Sequence, residues 1–126
     1  MKRMSVLIVD ACARTRELLR DLLVEHHAAG DVHESDDAAG ALAILAHRRV
    51  EAVVVDVDTP GRDGLALLAA LRRASPRCLL VALTNDPSGP RRRACLARGA
   101  DRFFDKSLEF ERAIEAVRHR ARGEGP

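Results

Sequence analysis

The sequence predicts an α/β domain in which five parallel β-strands form one doubly wound sheet with helices on both faces. Short runs of aliphatic residues alternate with segments of helical periodicity along the whole chain. Such alternation favours crossover connections and a parallel sheet. Hydrophobic residues make up 47% of the 126 residues and aromatic residues only 2%. The core must therefore be aliphatic, and the chain is long enough for one such core.

The first half of the chain predicts two strands and two helices. Residues 6–9 are a continuous Val, Leu and Ile run, which is typical of a strand buried on both faces. A helix is expected over residues 14–27, where leucines recur four positions apart. Val32 lies in a short strand, and Ser35 or Asp36 is expected to cap the second helix.

A third strand and helix follow in the middle of the chain. Residues 53–55 are three consecutive valines that end at Asp56. The turn-forming stretch 59–64 comes next, and it leads into a helix that stops before Pro76. Residues 78–83 then predict the fourth strand.

The last elements are expected to be shorter. Pro90 is suited to the first turn of a fourth helix, and residues 101–104 predict a fifth strand. A closing helix is marked by apolar residues at helical spacing, namely Phe110, Ala113, Ile114 and Val117. We therefore expect one domain over residues 1–122 and a frayed tail over residues 123–126.

Composition argues against several classes of protein. A net charge of +2 is too small for a nucleic-acid footprint, and stacking aromatics are almost absent. The odd set of Cys12, Cys78 and Cys95 is typical of reduced thiols rather than a disulfide framework. No apolar run approaches the roughly 20 residues of a membrane span, and the first one is too short for a secretion signal. We expect a cytoplasmic protein with neither a nucleic-acid nor a membrane partner.

Polar residues follow four of the predicted strands directly. They are Asp10, Asp56, Thr84 and the pair Asp105-Lys106. Chemistry in an open α/β sheet is located outside the carboxyl ends of the strands. Carboxylates can hold a hard cation such as Mg²⁺, and a lysine can neutralise a phosphoryl group in transfer. These residue types together predict phosphoryl chemistry at this edge.

Four blocks in order resemble the receiver domain of two-component response regulators. They are residues 6–10, residues 53–56 with 60–64, residues 82–84, and residues 99–106. The resemblance covers essentially the whole chain. It implies a flavodoxin-like receiver fold with strand order 2-1-3-4-5, in a single-domain protein that carries an aspartyl phosphate.

Carried over residue by residue, the resemblance implies a site. Asp56 resembles the phosphoacceptor, and Lys106 resembles the lysine that pairs with the acceptor and then with its phosphate. Asp10 and Asp56 would hold Mg²⁺ together with the backbone carbonyl of Asp58. A receiver of this kind is a signalling protein rather than a conventional enzyme, although it catalyses its own phosphorylation and dephosphorylation.

The resemblance also implies a switch and partners. Thr84 resembles the hydroxyl residue that bonds the phosphoryl group, and Phe103 the aromatic residue that turns inward as the threonine moves. The phosphoryl donor would be a sensor histidine kinase or a phosphotransfer protein. A downstream protein would bind the face formed by the fourth helix, fifth strand and fifth helix, with the chain itself a monomer or weak homodimer.

Three positions depart from the family pattern. Ala11 stands where a second acidic residue, often a direct metal ligand, is usual, so we expect weak Mg²⁺ binding. Asn85 is larger than the usual residue after the threonine, and Ser107 replaces a proline that is often preceded by a cis bond. The alternative to an active receiver is therefore an interaction module that has lost efficient phosphorylation.

Each functional interpretation has a simpler structural alternative. Asp10 and Asp56 could be turn caps, Thr84 a loop residue and Lys106 a surface lysine, although the four blocks together favour the site. For Phe103, a role in core packing and a role as the switch residue are nearly equally well supported. The run Arg91-Arg92-Arg93 is interpreted as a solvated face that could meet an acidic partner.

Overall fold

A computed structural model of the chain describes residues 3–58 and 63–123. Within them, strands and helices alternate strictly. The strands are β1 Met4–Val9, β2 Ala29–Ser35, β3 Ala52–Asp56, β4 Leu79–Thr84 and β5 Arg102–Asp105. The helices are α1 Ala13–Glu25, α2 Ala38–His47, α3 Gly64–Ala74, α4 Gly89–Ala97 and α5 Phe110–Ala121. None of these helices is long and apolar enough to cross a membrane.

The strands form one parallel sheet in the order β2-β1-β3-β4-β5. The predicted fold class and strand order are therefore confirmed. In register, Val9 is opposite Val55 and Thr84 is opposite Asp105. Since all strands run in the same direction, their carboxyl ends meet at one edge of the sheet.

The two faces of the sheet bury separate aliphatic clusters, as the alternation of side chains along a strand requires. One cluster joins the sheet to α1 and α5 through residues such as Ile8, Leu23 and Ile114. The other joins it to α2, α3 and α4 through Leu7, Leu68 and other buried residues. The helices therefore cover both faces of the sheet, and the polar residues at its carboxyl edge lie outside these two clusters.

Element boundaries differ from the predictions by a few residues. Strand β2 spans seven residues rather than a short segment around Val32. Helix α2 is capped by Asp37, whose carboxylate accepts a hydrogen bond from the Gly40 amide, and not by Ser35 or Asp36. The Ser35 hydroxyl instead donates to the carbonyl of Asp37. Residues 59–62 of the predicted turn and 124–126 of the predicted tail lie outside the described residues.

An arginine ties the opposite, amino-terminal end of the sheet together. Arg72, in the last turn of α3, donates to the carbonyls of Gly99 and Cys78 at 2.8 and 2.9 Å. It also pairs with Asp101 Oδ2 at 2.7 Å, and that same oxygen accepts the Leu80 amide. Gly99 has a φ of +110°, and a Cβ there would meet the Arg72 side chain at 2.8 Å. The entry into β5 is thereby fixed to α3.

Candidate functional site at the carboxyl edge of the sheet

Four of the predicted residues meet at the carboxyl edge. Asp10 directly follows β1, Asp56 and Thr84 are the last residues of β3 and β4, and Lys106 directly follows β5. Asp10, Asp56 and Thr84 are all buried. The strands end here because the chain turns toward the helices that cover the sheet, which leaves these polar side chains around one cleft.

Lys106 lies between the two carboxylates. Its Nζ is 2.7 Å from Asp10 Oδ2 and 3.1 Å from Asp56 Oδ2. Burial disfavours the ammonium, but the contacts with Asp10 and Asp56 outweigh it, and the pKa of Lys106 is raised above its ordinary value. Lys106 therefore stays charged at neutral pH, with one positive charge opposite two carboxylates.

Asp10 is the most enclosed carboxylate of the site, with a residue exposure of 2%. Its Oδ1 accepts the Cys12 amide at 2.8 Å. Its Oδ2 accepts no hydrogen bond from the described residues, because the close Lys106 ammonium does not have hydrogen-bond geometry. A buried oxygen without a hydrogen bond is unusual and has capacity for another positive partner.

The residues fit a divalent cation with few protein ligands. Among residues 3–58 and 63–123, no cluster of three or more His, Cys, Asp or Glu side chains is arranged to hold a metal ion. Asp10 and Asp56 nevertheless supply two carboxylates, and Asp10 Oδ2 accepts no hydrogen bond from the described residues. Mg²⁺ suits such a set because it keeps several waters and often takes only one or two carboxylates.

The side chain of Asp58 lies on the Thr84 side of the cleft. Thr84 Oγ1 donates toward both its carboxylate oxygens, at 2.8 and 3.0 Å. The backbone amide of Asn85 also donates to Asp58 Oδ2. Arg91 in α4 pairs with Asp58 Oδ1 at 3.0 Å and donates to the Val57 carbonyl at 3.1 Å. The sequence predicted a metal-binding role for the backbone carbonyl of Asp58, and it did not predict these contacts of the Asp58 side chain with Thr84, Asn85 and Arg91.

The environment of Asp58 favours its ionised form. Partial burial by itself would raise its pKa, but hydrogen bonds from the Asn85 amide, Thr84 and Arg91 outweigh burial and lower it. Its backbone amide donates to Asp56 Oδ1 at 2.9 Å. Asp58 is thus a negative charge held between Asp56 and α4.

Two of the atypical residues contact each other at the rim of the cleft. The Ser107 hydroxyl donates to Asn85 Oδ1 at 3.3 Å. Both residues are exposed, and the Lys106–Ser107 peptide bond is trans, as are all peptide bonds of the described residues. The Asn85 side chain therefore lies toward the loop after β5. The third atypical residue, Ala11, is exposed beside Asp10.

The two phenylalanines of β5 lie on opposite faces of the sheet. Phe103 is buried in the cluster formed with α2, α3 and α4. Phe104 is half-buried on the α1 and α5 face. Phe103 is therefore in an inward position, and its neighbour in register is Ala82 of β4.

Other predicted candidates have structural roles. Asp105 Oδ1 accepts the backbone amides of Ser107 and Leu108, so the Asp105 side chain shapes the turn after β5. Cys12 is exposed at the start of α1, and its side chain makes no capping hydrogen bond. Cys78 and Cys95 are buried free thiols.

Arg91 is the residue that sequence reasoning missed. Its run was interpreted as a solvated face, and Arg92 and Arg93 are indeed exposed. Arg91 is instead half-buried against Asp58. One signal was available, since the first turn of a helix that follows a parallel strand lies at the carboxyl edge of the sheet.

A doubly wound sheet with an acidic pair and a lysine at its carboxyl edge fits a phosphoacceptor signalling domain. A family model described as the response regulator receiver domain matches residues 6–118. The chain therefore belongs to the response regulator receiver domains, as its sequence blocks predicted.

Curated relatives agree with this assignment. The nitrate/nitrite response regulator NarP of Escherichia coli K12 is 30% identical over 118 residues, which are 94% of this chain and 55% of that protein. The response regulator MprA of Mycobacterium sp. strain KMS is 32% identical over 121 residues, 96% of this chain and 52% of that protein. The chain thus spans about half the length of the curated relatives it matches.

Solved structures show the same fold. The signal receiver domain of the response regulator NarL from Mycobacterium tuberculosis superposes with a TM-score of 0.84 at 23% identity. The match covers 98% of this chain and 100% of that one.

Proposed function

We propose that this domain receives a phosphoryl group on Asp56 from a phosphohistidine of a sensor histidine kinase or phosphotransfer protein. The ion pairs of Lys106 with Asp56 and Asp10 are the observation that most supports this role. A lysine in that position can neutralise charge on a phosphoryl group as it arrives at the acceptor. A purely structural ion pair would not need a second carboxylate with a buried oxygen that lacks a hydrogen bond.

In the transfer step, a carboxylate oxygen of Asp56 attacks the phosphorus atom and forms an acyl phosphate. The phosphorus–nitrogen bond of the donor breaks, and its electron pair returns to the imidazole, which takes up a proton from solvent. Asp56 is already oriented for the attack, since its Oδ1 accepts the Asp58 amide at 2.9 Å. Lys106 Nζ can follow the charge from the carboxylate to the phosphate.

Asp10 and Asp56 would hold Mg²⁺, with the backbone carbonyl of Asp58 as a further ligand. The bound cation supplies charge neutralisation to the transferring phosphoryl group. Only two carboxylates contribute, because Ala11 has none and the Asp58 carboxylate is engaged by Thr84 and Arg91. The proposal therefore includes weak Mg²⁺ binding.

The response to phosphorylation would pass through Thr84. Its hydroxyl now donates to Asp58, and its carbonyl accepts the Lys106 amide at 2.7 Å. A phosphoryl group on Asp56 offers this hydroxyl a stronger acceptor. Because Phe103 is buried beside β4, a movement of Thr84 can be transmitted to its packing.

The face formed by α4, β5 and α5 is proposed to bind the downstream protein. A groove of about 440 Å³ lies there beside Phe104, with Arg92, Arg102 and Arg112 among its lining residues. These three elements carry seven arginines and three acidic residues. Such an excess of positive charge favours a target with an acidic surface.

The second candidate is an interaction module with weak or absent phosphorylation. Ala11 removes a metal ligand, and the Asp58 carboxylate takes up the Thr84 hydroxyl that would otherwise bond the phosphoryl group. In this case the domain would still bind partners through the same face, without a switch at Asp56.

Mass spectrometry after incubation with acetyl phosphate and Mg²⁺ separates the two functions. We expect a gain of one phosphoryl group that is abolished in Asp56→Asn and retained in Asp36→Asn, a matched change at an exposed aspartate. A phosphoryl group that persists in Asp56→Asn would show that the acceptor is wrong. No gain in the wild-type protein would favour the interaction module.

A further inference from the structure

Two hydrogen-bond donors, the Thr84 hydroxyl and the backbone amide of Asn85, converge on one point beside Asp56. We call this pair of donors the cradle. Both donate to the same oxygen, Asp58 Oδ2. Thr84 is fully buried, and its hydroxyl oxygen also accepts the Asp86 amide at 3.0 Å, so its direction is constrained. A hydroxyl and an amide that converge on one anionic oxygen could bind an oxygen of a phosphoryl group equally well.

Each of the two donors in the cradle carries one proton and can donate one strong hydrogen bond at a time. While the hydroxyl and the amide donate to Asp58, they are unavailable to another anion. Arg91 adds a third donor, on Asp58 Oδ1 at 3.0 Å. A carboxylate held by three donors, one of them charged, competes strongly with any incoming phosphoryl oxygen.

The same contacts connect the cradle to α4. Arg91 lies in the first turn of α4, and its guanidinium also donates to the carbonyl of Val57. If the Asp58 carboxylate leaves the cradle, Arg91 loses its ion pair and keeps only the carbonyl contact. The start of α4 would then be held less tightly.

We propose that the Asp58 carboxylate is an internal anion that occupies the phosphoryl-binding donors of Thr84 and Asn85 and must leave them when Asp56 is phosphorylated. This inference rests on the proposed function of Asp56. It gives Asp58 a positioning role that sets how easily the domain is phosphorylated. It also makes Arg91 the residue through which α4 senses the departure of Asp58.

The first test measures the initial rate of phosphorylation by acetyl phosphate with Mg²⁺. Removing the competing carboxylate by Asp58→Ala should raise the rate about tenfold or more. The substitution frees the donors of Thr84 and Asn85 for the phosphoryl group and removes a negative charge that repels it. The matched control is Asp86→Asn, which removes a nearby charge whose side chain is exposed. It should change the rate less than about threefold. A rate in Asp58→Ala equal to or below that of the wild-type protein overturns the inference.

The second test probes the cradle without covalent chemistry. Inorganic phosphate is titrated into Asp56→Asn protein, which forms no acyl phosphate, and the Asn85 amide resonance is followed by NMR. Adding Asp58→Ala to this background should tighten phosphate binding about tenfold or more, whereas adding Asp86→Asn should not. The isosteric Asp58→Asn replaces Asp58→Ala if the alanine variant is unstable.

The two tests separate the inference from the proposed function. Unchanged phosphate binding after Asp58→Ala, with normal phosphorylation of Asp56, overturns the competing anion and leaves the acceptor intact. Tighter phosphate binding with no phosphorylation in any variant supports the competing anion and overturns the acceptor. An Asn85 resonance that does not shift on Asp58→Ala would show that the contact is absent, and the inference would be wrong.

Discussion

The two ends of the sheet each hold a basic side chain against an aspartate, but the two clusters are built differently. At the amino-terminal end, Arg72 meets one carboxylate and several carbonyls, and the Asp101 oxygen it contacts also accepts a backbone amide. At the carboxyl end, Lys106 faces two carboxylates, and Asp10 Oδ2 accepts no hydrogen bond from the described residues. One cluster is saturated with partners, and the other has capacity for more.

The difference indicates where the molecule is built for stability and where for chemistry. The ion pair of Arg72 with Asp101 fixes α3 to the start of β5, because all three guanidinium nitrogens of Arg72 donate hydrogen bonds. A cluster with an excess of negative charge is suited to a cation, which together with the lysine could neutralise a transferred phosphoryl group. Substitutions at the two ends should therefore separate folding from phosphorylation.

The largest expected effect is on phosphorylation, at Lys106. Lys106→Ala removes the ammonium that is proposed to neutralise the transferring group, so the rate with acetyl phosphate should fall about 100-fold, as when one such stabilising donor is removed. The free energy of unfolding should change far less than this loss of rate implies, since the space left by the lysine side chain admits water to the carboxylates of Asp10 and Asp56. Urea denaturation and phosphorylation rates measured on the same samples test both parts. A variant that unfolds readily but is phosphorylated normally would reverse the assignment of the two ends.

The second effect is on folding, at Arg72. Arg72→Ala leaves the carbonyls of Gly99 and Cys78 and the Asp101 carboxylate without their shared donor. We expect a loss of about 2 kcal/mol in the free energy of unfolding, limited by the partial exposure of the pair. Arg73→Ala, at the exposed neighbouring position, should change it by less than about 0.5 kcal/mol. Phosphorylation of the folded Arg72→Ala protein should be normal, and slower phosphorylation would show that the two ends are coupled.

The sequence predicted the scaffold better than the side-chain contacts of the site. Buried aliphatic runs and helical periodicity reflect burial, which the chain pattern reports directly, so the parallel sheet and the placing of polar residues at its carboxyl edge follow. The strand order was predicted only through the family resemblance. The ion pair of Asp58 with Arg91 joins residues 33 positions apart. This ion pair depends on side-chain rotamers and on the position of α4 against the sheet. Neither of these produces a periodic pattern of apolar residues in the sequence. Capping by Asp37 was missed because three polar residues compete for one helix start.

The smallest effect is expected from adding a negative charge at the carboxyl end of the sheet. Ala11 is exposed beside Asp10, so Ala11→Asp would place a third carboxylate near Asp10 and Asp56. Two unit charges about 4 Å apart interact by roughly 4 kcal/mol at an effective dielectric near 20, and an exposed position screens much of this.

We therefore expect Ala11→Asp to lower the free energy of unfolding in chelator by less than about 1 kcal/mol, because the new charge is repelled but solvated. Mg²⁺ should bind about 10-fold tighter, since an added direct ligand should matter at least as much as an outer partner of a metal. Phosphorylation by acetyl phosphate should be faster in proportion to the metal bound. Ala11→Asn, of the same size as Ala11→Asp but without the charge, should leave both properties near those of the wild-type protein.

If titration shows the wild-type protein binding Mg²⁺ as tightly as Ala11→Asp, then the missing ligand is already replaced. The Asp58 carboxylate would then have to leave Thr84 and Arg91 to reach the metal, which a shift of the Asn85 amide resonance on adding Mg²⁺ would reveal.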